Sequence, residues 1–260
     1  MTALEMQLAT LRATAPPAVA TGALVELGLA DRYAEVVDTP LGRAYVAWNG
    51  RGVSWVGLAG DPVRFEAEVT AHTGRPISRA ERLPDRLATA IERRLGGDRR
   101  ARIELDLRGA TSFEAAVWRK ALEIPRGEVR PYGWIAAEIG SPKAVRAVGT
   151  ALAHNPVPLV VPCHRVVRSD GTIGRYSMGG SENKRRILES EGLDVPALEA
   201  EAAHGVRFIG SDTTHIVCHP TCRDAKRVTA RHRVRFPSLG AARAAGYRPC
   251  RHCRPVSLAA

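Results

Sequence analysis

The sequence contains no apolar run approaching the roughly 20 residues a membrane-spanning helix needs, and its first twenty residues hold no long apolar stretch of the kind a secretory leader carries. With neither feature present, the expected location is the cytoplasm. No internal repeat is visible, so solenoids and arrays are excluded. Cysteine is scarce: there are five, an odd number, which does not suit a framework of paired disulfides. Acidic charge is also in short supply, with 27 Asp and Glu against 38 Lys and Arg, for a formal net charge of +11. The deficit is local. Residues 204–260 hold eleven Lys or Arg against only Asp212 and Asp224. Such a concentrated basic segment selects a polyanionic partner, nucleic acid first, although solubility alone would be served by the same charge.

What is present is enough apolar residue, 45% of 260, to build a core and more than one domain. Residues 1–30, rich in Ala and Leu with Pro16-Pro17, read as a weak helix and tether. Val36-Val37, Ala44-Tyr45-Val46-Ala47-Trp48 and Val53-Ser54-Trp55-Val56 read as strands, punctuated by Pro40-Leu41-Gly42 and by the hairpin signal Asn49-Gly50. Residues 62–98 look helical and charged. Ile103, Leu105 and Leu107 alternate as another strand. From Ser112 the spacing becomes helical through Phe113, Ala116, Val117 and Ala121. Two short helices follow, around 133–139 and after Ser141-Pro142, with serine as N-cap and proline at the first helical position. The pair reads as a helix-turn-helix. Residues 193–205 read as a linker.

The stretch Pro162-Cys163-His164-Arg165-Val166-Val167 follows the apolar run Leu159-Val160-Val161, which is expected to be a buried strand. Burial raises a thiol pKa, and an adjacent imidazole is the usual remedy. Downstream, 181–191 reads as a helix with Ser181 as N-cap, on which Ile187, Leu188 and Glu191 share a face. A carboxylate on an apolar face needs a partner, and His164 is the candidate. Cys, His and Glu then form an activated-nucleophile arrangement. In the helix after Ser141, Val145, Val148 and Leu152 form a core stripe, and Arg146, Gly149, Thr150 and Ala153 form a nearly bare one. That bare stripe suits either the minor groove of DNA or close packing against a neighbouring helix.

These residues resemble the O6-alkylguanine-DNA alkyltransferases over roughly 111–192. The resemblance rests on 113–118, Ile124-Pro125-Arg126-Gly127, Tyr132, Lys143-Ala144-Val145-Arg146-Ala147-Val148, Asn155-Pro156, 162–167 and Gly174-Arg175-Tyr176. It implies that Cys163 takes an alkyl group irreversibly from guanine O6, or from thymine O4, and that the protein is consumed. By the same resemblance His164 accepts the thiol proton through a water, Glu191 orients His164, and Asn155 holds the turn between recognition helix and active site. Arg146 fills the gap left by the extruded nucleotide, Tyr132 rotates the phosphate, and Tyr176 and Ser177 line the guanine pocket. Arg175 and Met178 depart from the family's usual pocket loop and bear on which alkyl groups are accepted.

The other four cysteines form two close pairs, Cys218/Cys222 and Cys250/Cys253, a spacing that reads as a four-thiolate zinc site. The surrounding segments Thr213-Thr214-His215-Ile216-Val217-Cys218 and Ala245-Gly246-Tyr247-Arg248-Pro249-Cys250 resemble the metal-binding domain of Ada proteins over about 207–255. That resemblance implies one Zn2+ held by Cys218, Cys222, Cys250 and Cys253, with Cys218 as a second methyl acceptor, from methylated backbone phosphate. His215 and His219 stand where Gly and Arg are expected, and the module follows the alkyltransferase part instead of preceding it.

The expected fold is an α/β N-terminal domain (34–108, after an extension at 1–33), a mostly α helix-turn-helix alkyltransferase domain (109–192), a linker (193–205) and a small α+β zinc module (206–256). The expected protein is a monomeric, single-turnover DNA-repair methyltransferase associated with the nucleoid. Its partner is double-stranded DNA carrying alkylated bases or methylated phosphates. The alternative is a protein that binds alkylated DNA, or a regulator switched by methylation, whose zinc module is purely structural.

Overall fold

Alternating apolar residues in the first third of the chain fold into a four-stranded sheet. In the computed structural model, which describes residues 17–256, helix α1 (Pro17–Glu26) leads into β1 (Asp31–Thr39), β2 (Gly42–Asn49) and β3 (Gly52–Leu58). β4 (Ile77–Arg79) completes the order β3-β2-β1-β4, antiparallel except for the parallel β1–β4 pair. β1 starts inside the stretch read as an extension, and the part of that stretch before residue 17 lies outside the described residues. The Asn49-Gly50 signal does mark a hairpin, with Asn49 paired to Gly52. A side chain at Gly50 would sit 1.9 Å from the Glu26 carbonyl oxygen, so this glycine is demanded by the crossing of α1.

The charged segment 62–98 forms α2 (Pro62–Thr73) and α3 (Asp85–Leu95) on either side of β4. α2 starts where its chemistry dictates: the Asp61 side chain accepts the Val63 N–H, and Pro62 opens the helix. Phe65 of α2 meets Tyr33 and Tyr45 of the sheet with ring centroids 5.0 Å apart. The alternation at 103–107 is not a strand. Only Leu105 makes a bridge, to Val53. Asp106 then turns into a buried polar cluster, in which Asn49 Nδ2 donates to Asp31 (2.7 Å) and to Asp106 (2.8 Å) and Arg75 Nε donates to Asp31 (2.8 Å).

A capping box between Thr111 and Glu114 starts α4 (Ser112–Ala121). β5 (Arg130–Pro131) runs into α5 (Tyr132–Glu138), and α6 (Val145–Ala153) follows, so the helix-turn-helix is present. Trp118 ties α4 to α6 by donating its indole N–H to the Ala151 carbonyl at 2.8 Å. Ser141 is not the cap of α6: Ser141-Pro142 lies in a preceding turn closed by Ala144 N–H on the Ser141 carbonyl.

Leu159-Val160-Val161 is buried as expected but is not a strand. It is a turn in which Leu159 adopts φ 71° and Pro158 bridges Val161. A short 3-10 turn (Cys163–Arg165) and β6 (Val166–Val167), parallel to β5, come next. α7 (Gly180–Ser190) starts after Gly179 in the left-handed region, not at a Ser181 cap, and Glu191 is its C-cap. The stretch read as a linker is mostly α8 (Val195–Ala203), capped by Asp194. Leu193 and Val195 are buried with Val129, Val167, Ile173 and Leu188, which seats α8 on the body instead of leaving it as a tether.

The last segment forms β7 (Phe208–Ser211), β8 (Ile216–Cys218), β9 (Arg233–Phe236) and β10 (Arg248–Pro249) in the order β10-β8-β7-β9, with short helices α9 (Arg223–Lys226) and α10 (Leu239–Ala244). Among the described residues no helix is long and apolar enough to cross a membrane.

Candidate functional site

Asn155 organises the turn that delivers Cys163. Its side-chain oxygen accepts the Val157 N–H (3.1 Å), and its amide donates to the Val161 carbonyl (3.2 Å) and to Cys163 Sγ (3.2 Å). Cys163 is a free thiol, only 5% exposed. Burial pushes that thiol up, opposed by the Asn155 donor and by the charge of Lys184. The resting group is therefore the neutral thiol, and a base has to take its proton.

That base stands next in sequence. His164 is buried, and its Nε2 lies 3.0 Å from Glu191 Oε1. The same carboxylate receives Arg165 through Nε (3.0 Å to Oε2) and a terminal nitrogen (2.7 Å to Oε1), and the Gly127 N–H at 3.2 Å. Burial alone would raise the Glu191 carboxyl, but the His164 and Arg165 donors outweigh it and hold it at about 2. Burial pushes the imidazole down, and Glu191 only partly compensates. At neutral pH the pair is a neutral histidine beside an ionised carboxylate. With Nε2–H turned to Glu191, Nδ1 is left as the basic nitrogen; it is buried and has no hydrogen-bond partner among the described residues. Tyr176 packs edge-on against the His164 ring, centroids 6.1 Å apart.

Two buried cations at this site have no assigned role in the sequence reading. Arg165 sits inside the quoted motif, and one imidazole cannot satisfy both oxygens of a buried carboxylate. Lys184 is fully buried on α7, with Nζ donating to the carbonyls of Val166 (2.6 Å) and Arg175 (3.4 Å). Burial lowers its pKa to about 8. Extending the stripe of 187, 188 and 191 back by one turn reaches it.

The stripe on α6 that the sequence leaves open is mostly uncovered. Arg146, Thr150 and Ala153 are exposed, and a side chain at Gly149 would meet only the Tyr132 ring, at 4.0 Å. Tyr132 is half-buried at the start of α5, and burial raises its phenol. Ser177 is exposed beside buried Tyr176. A cleft of about 1010 Å³ between the sheet and the helices reaches Asn155, Ser177 and Met178. Cys163 is not in its lining, but Asn155, which donates to the Cys163 sulfur, is.

At the other site, the sulfurs of Cys218, Cys222, Cys250 and Cys253 lie within 4.8 Å of one another, all buried. β8 ends on Cys218, Cys222 caps α9, and Cys250 is fixed by its N–H on the Val217 carbonyl at 2.9 Å. Hydrogen bonding and like-charge crowding from Cys222 and Cys253 push the Cys218 thiol far up. Four soft sulfur donors brought this close fit one zinc ion.

Residues 112–193 match the sequence model of the 6-O-methylguanine DNA methyltransferase DNA-binding domain, and residues 197–256 match that of the metal-binding domain of Ada. The methylated-DNA–protein-cysteine methyltransferase of Mycobacterium tuberculosis is 52% identical over 95 residues, 36% of this chain and 56% of its own length. The bifunctional transcriptional activator/DNA repair enzyme Ada of Escherichia coli is 37% identical over 169 residues, 63% of this chain and 46% of its own length. The chain thus spans about half the length of the curated relatives it matches. The crystal structure of Mycobacterium tuberculosis OGT in complex with DNA superposes with a TM-score of 0.51 at 32% identity, covering 64% of this chain and 98% of that one. With nearly all of that solved relative covered, and with the cysteine motif lying inside the matched segment, the chain belongs to the 6-O-methylguanine DNA methyltransferase family and carries an Ada-type metal-binding module after the methyltransferase part.

Proposed function

We propose that this protein repairs DNA directly, by moving the alkyl group of an O6-alkylguanine onto Cys163 in one irreversible turnover. The carrying observation is a buried free thiol held by Asn155, next in sequence to a neutral His164 whose far nitrogen is committed to Glu191. His164 Nδ1 takes the thiol proton through a water. The thiolate forms the S–C bond as the C–O6 bond breaks, and the guanine leaves with the electron pair and gains a proton equivalent to the one His164 took, which restores the neutral imidazole. An alkyl group inside a duplex is out of reach until its base leaves the stack, at a cost of a few kcal/mol. Exposed Arg146 fills the vacated position, Tyr132 turns the phosphate, and Tyr176 and Ser177 receive the base.

The layout that serves this chemistry is an α/β part that begins with β1 at Asp31 and runs to 108, the active-site domain over 109–192 and the zinc module over 206–256. The substrate is double-stranded alkylated DNA, bound by a monomer at the nucleoid. Cys218, Cys222, Cys250 and Cys253 would hold one zinc ion, which would keep their thiols ionised. Cys218 is the acceptor of a methyl group from a methylated phosphate. Cys253 accepts the His219 N–H (3.3 Å) and Cys250 Sγ lies 3.3 Å from Asp224 Oδ2, whereas Cys218 Sγ has neither kind of partner among the described residues.

Peptide mapping after exposure to damaged duplex tests both roles. O6-methylguanine DNA is expected to add one methyl to the Cys163 peptide, and Cys163→Ser to abolish it; an unmodified peptide from fully DNA-bound protein overturns the assignment. Methylphosphotriester DNA is expected to methylate Cys218 in Cys163→Ser protein, and transfer that survives Cys218→Ala overturns that role. The rival, a protein that binds alkylated DNA without transfer, gives no use to the thiol at 163.

A further inference from the structure

One turn joins the zinc module to the Cys163 site. Residues 125–128 close on a bond from Glu128 N–H to the Pro125 carbonyl (3.2 Å), with Gly127 third in the turn at φ 71°. On one side the turn is fastened to the end of α7. Gly127 N–H donates to Glu191 Oε2 at 3.2 Å, and Arg126 donates to the Ser190 carbonyl at 2.5 Å. On the other side it is fastened to the zinc module. Lys226 Nζ donates to the Gly127 carbonyl (3.0 Å), and the Arg223 N–H donates to Glu128 Oε1 (3.2 Å). Thr221 Oγ1 accepts the Val129 N–H (2.9 Å) and donates to the Val129 carbonyl (3.3 Å). There is no slack in this arrangement, since a side chain at Gly127 would stand 2.9 Å from the Glu191 carbonyl oxygen.

The Glu191 carboxylate has two kinds of partner. Arg165 grips it as a fork, which neutralises its charge in more than one orientation. Gly127 N–H fixes the Oε2 side, and with it the direction in which Oε1 faces His164. Docking of the module does not hang on Lys226 alone. Arg254 pairs with Glu138 (2.7 Å) and Glu123 (3.0 Å) and lies over the Trp134 ring at 5.7 Å.

Resting on the transfer to Cys163 argued above, we propose that Lys226 and Thr221 of the zinc module are positioning residues for that reaction. They brace the 125–129 turn, and through Gly127 they hold the Glu191 carboxylate against His164. The module thereby completes the alkylguanine site as well as making its own contacts to DNA.

The test is single-turnover methyl transfer to Cys163 from an O6-methylguanine duplex, using the full-length zinc-loaded protein and its Lys226→Met, Lys226→Arg and Thr221→Val variants. Maximal rate and half-saturating DNA concentration are read separately. Lys226 is exposed, so its replacement leaves the fold intact; zinc content and thermal midpoint check this. Lys226→Met and Thr221→Val are expected to lower the maximal rate about fivefold, the scale of one lost hydrogen bond, with half-saturation unchanged. Lys226→Arg is expected to restore most of that rate. A Lys226→Met protein with the wild-type maximal rate overturns the inference alone, as does one altered only in half-saturation, which marks a simple phosphate contact. If Thr221→Val loses zinc, the Lys226 pair decides. A wild-type protein that leaves Cys163 unmethylated overturns the transfer reading and this inference with it.

Discussion

At the scale of single residues the site is an exercise in deciding which groups carry charge. Glu191 is ionised only because His164 and Arg165 offset its burial; removing its charge leaves Arg165 buried without a counter-ion, a loss of about 3–5 kcal/mol. Glu191→Gln is therefore expected to lower the thermal midpoint and to slow alkyl transfer by about a hundredfold, since the amide lacks the negative charge that stabilises the imidazolium formed when His164 takes the thiol proton. The acid limb gives a second reading. The folded carboxyl titrates at about 2 against an ordinary 4.5, so its stabilisation is complete above pH 4.5 and fades as pH falls from there toward 2. Denaturant midpoints measured across that window should slope less in Glu191→Gln than in wild type; equal slopes would show that this carboxylate is not the titrating group. Cys163, His164, Glu191 and the four zinc ligands were legible because each sits in a short motif or on a stripe where its chemistry is out of place. Arg165 and Lys184 were missed although one lies inside the motif and the other one turn back on the stripe, because a cation is ordinarily exposed and only the folded core shows that these two are buried.

At the scale of elements, legibility depended on whether a local rule had a tertiary competitor. The hairpin at Asn49-Gly50 is fixed by neighbours in sequence and forms, whereas the caps expected at Ser141 and Ser181 do not: Ser141 lies in a preceding turn, and α7 starts after Gly179 in the left-handed region. Leu159-Val160-Val161 failed as a strand because a buried apolar run looks the same in a strand and in a buried turn; Leu159 is held at φ 71° by packing that only the folded core supplies. The α6 stripe was undecidable for the same reason, and its exposure now makes a prediction. Nothing but the Tyr132 ring lies within 4.0 Å of a side chain at Gly149, so Gly149→Ala should raise stability by up to about 1 kcal/mol. Gly149→Leu should leave the thermal midpoint near that of wild type yet weaken duplex binding, because the added bulk stands where DNA has to approach. Binding titrations beside thermal melts separate the two, and unimpaired binding by Gly149→Leu would remove α6 from the DNA interface.

For the whole molecule the question is how a net charge of +11 is distributed between holding the fold and holding DNA. In the zinc module part of that charge is spent internally. Arg235 is paired with Glu201 and Arg254 with Glu123 and Glu138, while Lys226 caps the Gly127 carbonyl. Arg227, Arg231, Arg243, Arg248 and Arg251 are exposed and have no acidic partner among the described residues. Only such unpaired cations can exchange counterions with phosphate, so the salt dependence of DNA binding counts them and not the full basic excess. Replacing Arg227 and Arg231 together by Gln is expected to reduce the slope of log affinity against log salt by about 1.8 if both meet phosphates. Undamaged and alkylated duplexes should weaken alike, because backbone contacts position a protein without reading bases. Replacing Arg235, already held by Glu201, should change the slope far less. Fluorescence titrations over a range of salt concentrations distinguish these variants. A full slope retained by the Arg227/Arg231 double variant would place the DNA on another face of the module and separate its zinc site from the strand that α6 engages.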